Sequence, residues 1–338
     1  MTPYRFAVIG NGYMARRYMT CLDSQERTEV ALVVNCKGII GGNAQSGSSA
    51  ATEDNRTVLS AISDDPAIDA VIVCSPDGTH PSYVAELLSS GKLIVCEKPL
   101  ARTEEEFRRL LELAAGRKNS PVVGMNCRFK SGIQHLKRLI EGGVIKVPNL
   151  INAAYYSNVV PILQGKGKGW WLEYPLGIVP FLHGGAIHVL DSLRFLFGEV
   201  DAALCVAASR GISRRLGGDT FVVLLKFASG ALANVVISGT SLAPNRFQIS
   251  IESEHCSIDE HHEYVVDPET NLPVTRPVPA DDSKDLERQM AHVVDVLDGN
   301  AMPLNSIEEA YRNFKVIRAC EESSRTATWV AVTSDVRG

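Results

Sequence analysis

Lys98 is the residue in this 338-residue chain best placed to do chemistry. It stands between Glu97 and Pro99, directly after the apolar run Leu93-Ile94-Val95-Cys96. That places it at the carboxyl end of a buried strand, the end at which open parallel sheets bind ligands. A second motif addresses the same side. Gly10-Asn11-Gly12-Tyr13-Met14-Ala15 follows the first apolar strand, Phe6-Ala7-Val8-Ile9. Gly10 permits a tight turn, Gly12 lets the backbone approach a pyrophosphate, and Ala15 keeps the helix close to the strand. Phosphates then meet free N–H groups at the helix N-terminus, with Asn11, Tyr13 and Met14 completing the turn. Together the two motifs imply a nicotinamide dinucleotide with an ionisable group beside its reactive ring, as hydride transfer requires. A free lysine titrates near ~10.4. Partial burial and a cationic nicotinamide both disfavour the ammonium and bring the amine toward neutrality.

The cofactor's ribose has its own expected partners. An acidic residue about 20 positions beyond the glycine turn usually holds the hydroxyls of NAD. Here Asn35 occupies that place, followed by Cys36 and Lys37. Asparagine bonds a hydroxyl without repelling a 2′-phosphate, and Lys37 could attract one, so NAD and NADP both stay open, with a lean to NAD. Asn126 and Arg128 follow the last strand of the series and are expected to line the crevice, Arg128 equally well bridging two domains. Gly165-Lys166-Gly167-Lys168-Gly169-Trp170-Trp171 combines cations with flat apolar rings. Trp170 and Trp171 are candidate sugar contacts or, equally, packing residues. His261-His262 lacks carboxylate or cysteine partners at useful spacing and reads as a solvated loop; no metal is expected.

The elements that position these groups alternate. Apolar runs at Phe6 to Ile9, Val30 to Val34, Ala70 to Cys74, Leu93 to Cys96 and Val122 to Met125 are separated by amphipathic stretches. That is the βαβ rhythm of a doubly wound parallel sheet, and unbroken apolar strands are those buried on both faces. Thr103-Glu104-Glu105-Glu106 is a capping box opening a helix to about Ala115. Gly38 to Ser49, rich in Gly and Ser, reads as a surface loop. From residue 126 the rhythm changes. A helix over Ser131 to Glu141 stops at Gly142-Gly143. Strands follow at Leu150 to Tyr156, Ala202 to Ala208, Thr220 to Phe227, Ala231 to Ser238 and Phe247 to Glu252, with a hairpin turn at Phe227 to Ala231. Helices at Ala186 to Phe197 and Ile307 to Ser323 interrupt them. The fold class is therefore α/β: a Rossmann domain over 1–125, then an α+β domain over 126–338 with an open-faced, mostly antiparallel sheet. An open face needs covering, so a homodimer or homotetramer through that sheet is expected.

Composition narrows the classes further. Hydrophobic residues make up 45% of the chain and charged residues 22%, which suffices for a core. A net charge of −5 offers no footprint for nucleic acid. No apolar run approaches the ~20 residues that span a bilayer, so no membrane partner is expected. The eight cysteines are scattered without a Cys-x-x-Cys pair, which suits a cytoplasmic protein with reduced thiols.

Several motifs in order resemble the Gfo/Idh/MocA oxidoreductase family. They are Gly10-x-Gly12-x-x-Ala15, Asp69-Ala70-Val71-Ile72-Val73 leading into Ser75-Pro76-Asp77-Gly78-Thr79-His80, Glu97-Lys98-Pro99-Leu100, Gly124-Met125-Asn126-Cys127-Arg128-Phe129, and His188-Val189-Leu190-Asp191. The resemblance implies NAD(P) and a sugar, aminosugar, cyclitol or glycoside substrate, aminoglycosides included. It also implies Lys98 and His188 as the catalytic pair, and Ser75, Pro76, Asp77, His80, Glu97 and Asn126 near the cofactor. Without it, His188 between Ile187 and Val189 reads as a core histidine. In one assignment His188 is the general base, its ordinary pKa of about 6.5 suiting the task, and Lys98 polarises the same oxygen; the reverse assignment is open. Asp191, one turn on, shares the face of His188 and could orient its ring. Two departures stand out. The family commonly has Asp-x-Gly-x-His, and here the aspartate position is Gly184 and the intermediate glycine is Ala186. Asp77 stands where asparagine is usual. His183, beside the missing aspartate, is a candidate substrate contact. Two other functions share this equipment: a glycosidase that oxidises a sugar carbon transiently and restores it, and a catalytically silent ligand sensor.

Overall fold

A computed structural model describes residues 2–35, 38–42, 55–117, 120–163, 173–175, 177–209, 217–254, 256–259, 261–267, 269–270, 272–279, 281 and 283–333. The elements of the first third are β1 (Tyr4–Ile9), α1 (Tyr13–Asp23), β2 (Thr28–Asn35), β3 (Gly38–Gly42), α2 (Asn55–Asp64), β4 (Ala70–Val73), α3 (His80–Leu87), β5 (Leu93–Cys96), α4 (Glu104–Ala114) and β6 (Val122–Val123). Then come α5 (Ser131–Glu141), β7 (Leu150–Tyr156), α6 (Val160–Leu163), α7 (Ile187–Phe197), β8 (Val200–Ala208), β9 (Thr220–Phe227) and β10 (Leu232–Ser238). The last are β11 (Arg246–Glu252), β12 (Cys256–Ile258), β13 (His262–Val266), β14 (Pro273–Pro277), α8 (Asp285–Leu297), α9 (Ile307–Thr326) and β15 (Val330–Ala331). They fall into two units, Met1–Asn126 with Leu286–Tyr311, and Cys127–Asp285 with Arg312–Gly338.

In the first unit six strands lie in the order β3-β2-β1-β4-β5-β6. β1, β2, β4, β5 and β6 run parallel. Every residue of β4 and β5 is buried, as are Phe6 to Ile9 of β1, which explains why these runs are continuously apolar rather than alternating. Phe6, Val8, Ile72 and Val95 meet Tyr18 and Leu22 of α1 on one side of the sheet, and Leu286, Met290 and Val293 of α8 close the same core. These three recur at i, i+4 and i+7, one face of a helix. The capping box is complete: the Thr103 hydroxyl accepts the Glu106 N–H, and the Glu106 carboxylate accepts the Thr103 N–H. One expectation is corrected. Gly38–Gly42 is not loop but β3, antiparallel to β2; ladder hydrogen bonds use backbone alone, so glycine content did not prevent a strand there. Residues 43–49 of the expected loop lie outside the described residues.

The second unit is a nine-stranded sheet, β14-β13-β12-β11-β7-β10-β9-β8-β15. Its pairs are antiparallel except β7 with β10. β9 alternates strictly, with Phe221, Val223, Leu225 and Phe227 buried and Val222, Leu224 and Lys226 exposed, the signature of a sheet covered on one side. The β9–β10 hairpin turns at Gly230, whose φ of 89° favours glycine. His261-His262, expected in a loop, belongs to the turn into β13, which His262 opens. The Asp259 carboxylate accepts both of their backbone N–H groups, at 2.7 and 2.8 Å.

Candidate functional site

The parallel ladder of the first unit closes at one end. Backbone N–H groups just beyond the strands reach back to neighbouring carbonyls: Gly10 to Val34 (2.7 Å), Cys74 to Ile9 (2.8 Å), Glu97 to Val73 (2.9 Å) and Gly124 to Cys96 (2.7 Å). The glycine turn, the Ser75 loop, Lys98 and Asn126 therefore emerge at the carboxyl ends of adjacent strands. β1 lies between β2 and β4, so the chain order reverses beside Gly10, the place where such sheets bind ligands.

Gly10 has φ 119°, and a Cβ there would stand 2.6 Å from the Cys74 carbonyl oxygen. No side chain but hydrogen lets β1 and β4 end this close together. Gly12 is the N-cap of α1 and offers no side-chain acceptor to the first turn. A Cβ built on it meets nothing within 4 Å. The N–H groups opening α1 thus face open space over a bare backbone, which fits a dinucleotide pyrophosphate. Tyr13, 75% exposed, and Asn11 flank that opening; Met14 is half-buried against the core. Asn35 ends β2, and nothing is described of its side chain, while Cys36 and Lys37 lie outside the described residues.

Beyond β4 the chain makes a tight turn over Asp77–Thr79 before α3. The Thr79 hydroxyl lies 2.7 Å from both the Ser75 hydroxyl and the Pro76 carbonyl. Pro76 is exposed and Ser75 half-buried. Asp77 is buried and forms an ion pair with Arg102, which lies beyond β5. His80 is buried too, each ring nitrogen facing a main-chain carbonyl.

Lys98 stands apart in exposure. Between Leu93 and Arg102 every residue except Lys98 is buried. Its neighbour Glu97 turns inward, where its carboxylate accepts the Tyr18 hydroxyl at 2.9 Å. Gly124 makes room for that pair, since a Cβ there would lie 2.8 Å from Glu97 Oε1 and 3.0 Å from the Tyr18 oxygen. Burial, reinforced by the Glu97 charge, pushes the Tyr18 hydroxyl and the Cys74 and Cys96 thiols well up. They stay protonated at neutral pH, which leaves no thiolate for nucleophilic chemistry at this strand end.

The second unit presents a matching singularity. Leu182–Ala186 forms a π-helical turn that runs into α7, a distortion found frequently at functional sites. From Val179 to Arg194 every residue is buried except His188. Burial holds the Tyr155 hydroxyl up at about 12, so it does not titrate near neutrality.

Other predicted side chains are engaged within the second unit. Asp191 receives a bidentate pair of hydrogen bonds from Arg128, at 2.8 and 2.6 Å, and a third from Asn313 at 2.6 Å. Arg194 in turn donates to the side-chain Oδ1 of Asn313 and pairs with Glu199. The Arg128 guanidinium also covers the Phe195 ring, 4.9 Å from its centroid. Arg128 and Asp191 are both buried, so they form a structural knot between the segment after β6 and the helix bearing His188. His183 Nε2 lies 3.2 Å from the Glu321 carboxylate, which also accepts the Val179 N–H at 2.6 Å. Asn126 is half-buried at the start of a short 3-10 turn. Trp170 and Trp171 lie outside the described residues. Sequence reasoning missed Arg102, Asn313 and Glu321, each of which pairs with a residue far away in sequence.

Comparison with known proteins agrees with this architecture. A family model for an oxidoreductase family with an NAD-binding Rossmann fold matches residues 4–125, and one for the C-terminal α/β domain of the same family matches residues 137–332. Inositol 2-dehydrogenase of Rhizobium meliloti (strain 1021) is 28% identical over 189 residues, 55% of this chain and 54% of that one. The chain thus spans about half the length of this curated relative. 1,5-Anhydro-D-fructose reductase of Ensifer adhaerens is 27% identical over 236 residues, 68% of this chain and 67% of that protein. Among solved structures, levoglucosan dehydrogenase in complex with NADH and L-sorbose superposes with a TM-score of 0.80 at 19% identity, covering 98% of this chain and all of that one.

Proposed function

We propose, because this chain belongs to the Gfo/Idh/MocA oxidoreductase family, that it transfers hydride between NAD(P) and a ring carbon of a sugar or cyclitol bearing a secondary hydroxyl or ketone. One observation carries the reading. Two otherwise buried segments each offer a single ionisable side chain with surface access, Lys98 after β5 and His188 at the start of α7.

Gly10, Asn11, Gly12, Tyr13 and Met14 would hold the pyrophosphate. Asn35, Cys36 and Lys37 would hold the adenosine ribose, and Ser75, Pro76 and Asn126 the nicotinamide side. When bound, the cofactor supplies the acceptor for hydride. Lys98 fixes the substrate oxygen and stabilises the negative charge that grows on it. His188 takes the hydroxyl proton in the oxidative direction and returns it in reduction. Glu97, turned inward to Tyr18, anchors the strand end beneath the lysine rather than touching substrate. Asp191 contributes by holding Arg128 and thereby the helix that carries His188. The relatives reported above act, by their names, on a cyclitol and on anhydro sugars, which supports a compact uncharged ring as substrate. None of them points to an aminoglycoside.

The open face of the second unit's sheet supports self-association. Val206, Val222, Val236 and Ala154 lie in register across β8, β9, β10 and β7. Val206 and Val222 are exposed. A second copy of the chain packing on this row would give the homodimer or homotetramer.

The test is a panel of inositols, anhydro sugars and free sugars, each with NAD and NADP in both redox states, followed by nicotinamide absorbance. At least one cyclic polyol should reduce the cofactor. Lys98→Met should keep cofactor affinity and lose turnover by about 10³-fold, the upper part of the range for removing a group that acts on the reacting oxygen. Near-normal turnover by Lys98→Met would refute the assignment.

A further inference from the structure

Lys98 projects from a turn, not from a strand or helix, so something outside the turn must hold it. His80 does this by geometry. It opens α3, is 1% exposed, and its Nδ1 lies 2.8 Å from the Pro99 carbonyl oxygen. Its Nε2 lies 2.9 Å from the Ser75 carbonyl oxygen. Carbonyl oxygens only accept, so the neutral ring donates to one of them according to tautomer, and the doubly protonated ring donates to both. The imidazole thus lies between the loop after β4 and the turn after β5, with Pro99 19 residues beyond His80, and it bonds both carbonyls when doubly protonated. With both nitrogens turned to protein carbonyls and no surface to speak of, the ring is not built to grip a ligand.

We propose that His80 is a positioning residue: through the Pro99 carbonyl it fixes the turn that aims Lys98, and through the Ser75 carbonyl it ties that turn to the loop beside the glycine motif. The catalytic consequence rests on the hydride-transfer reading above; the mechanical one does not. Misplacing a catalytic group by about 1 Å can cost about 10²-fold in rate, and a lysine on an unclasped turn is exposed to that loss.

The two contacts can be separated by substitution. The amide nitrogen of asparagine falls near the position of Nδ1, and that of glutamine near Nε2. His80→Asn therefore keeps a donor for Pro99, and His80→Gln keeps one for Ser75. Full-length wild type, His80→Ala, His80→Asn and His80→Gln would be compared by amide hydrogen exchange and by steady-state kinetics. In His80→Ala and His80→Gln, residues 97–102 should exchange about tenfold faster, an opening confined to one local unit, while α5 and α7 are unchanged. In the same variants kcat should fall by about 10- to 100-fold with KM and cofactor affinity held, the pattern of a lost transition-state contact. His80→Asn should recover most of both. The proposal is overturned by unchanged exchange over 97–102 in His80→Ala, or by His80→Asn and His80→Gln behaving alike. If the wild type turns over no polyol, the hydride-transfer reading fails, and the exchange data still decide whether the clasp exists.

Discussion

Replacing Asp191 by alanine would leave the Arg128 guanidinium buried without its counter-charge. Breaking such a pair from one side costs about 3–5 kcal/mol, whereas replacing both partners with apolar groups of similar volume can be nearly neutral. Chemical unfolding should therefore show Asp191→Ala destabilised by that amount, and Arg128→Met with Asp191→Leu destabilised less than Asp191→Ala alone. Equal losses would mean that the pair contributes no coupling. The contrast with Lys98 shows what single residues disclose. Lys98 was legible because its neighbours, an apolar strand and a proline, define its place from within a few positions. The partnership of Arg128 with Asp191 spans 63 positions, and nothing local to either residue names the other. The same holds for His183 with Glu321 and Asp77 with Arg102. Arg128, Asp191, His183 and Asp77, each expected near a ligand, face protein partners that periodicity could not supply.

At the scale of elements, α8 is the least expected member of the first unit. Its Leu286, Met290 and Val293 complete a core begun almost three hundred residues earlier. Just past its end, Asp298 accepts two hydrogen bonds from Arg27, both at 2.7 Å, and one from the Tyr4 hydroxyl at 2.8 Å. The Arg27 guanidinium first, and the Tyr4 hydroxyl next, hold the Asp298 carboxyl down at about 2. An unfolded aspartate titrates near ~3.9. Because the folded value is the lower, this link stabilises fully above the unfolded pKa and is lost as pH falls from about 4 toward 2. Unfolding measured through that window should be less steep with pH in Asp298→Asn than in the wild type, and the two should run parallel above it. Identical slopes would show that the link does not couple to folding. The strands and helices that repeat cleanly, β4, β5, α4 and α5, could be read from apolar runs and a capping box. β3 and β12 to β14 could not, because β3 is mostly glycine, β12 is three residues long, Glu263 takes one of the two buried positions of β13, and β14 begins and ends in proline.

At the scale of the molecule, two units with different sheets carry one proposed reaction. Their strands differ in pattern, continuously buried in β4 and β5 and alternating in β9, because burial on both faces and burial on one face write different periods. Alternation in β9 also leaves an apolar row exposed on the open face. Charging that row should prevent association: Val222→Glu is expected to lower the mass seen by sedimentation while the fold, by circular dichroism, is retained. An unchanged mass would place the subunit contact elsewhere or remove it. No described helix is long and apolar enough to cross a membrane.

The proposed reaction is direct hydride transfer from a polyol carbon, dependent on Lys98 and His188. It is tested most directly with a cyclic polyol that the panel identifies, deuterated at its carbinol carbons, and mass analysis of the reduced nicotinamide. One deuterium should be carried onto the nicotinamide for each ketone formed by the wild type, and no measurable transfer should occur in Lys98→Met or His188→Ala with cofactor still bound. Ketone formed without deuterium on the nicotinamide, or full transfer by either variant, would contradict it.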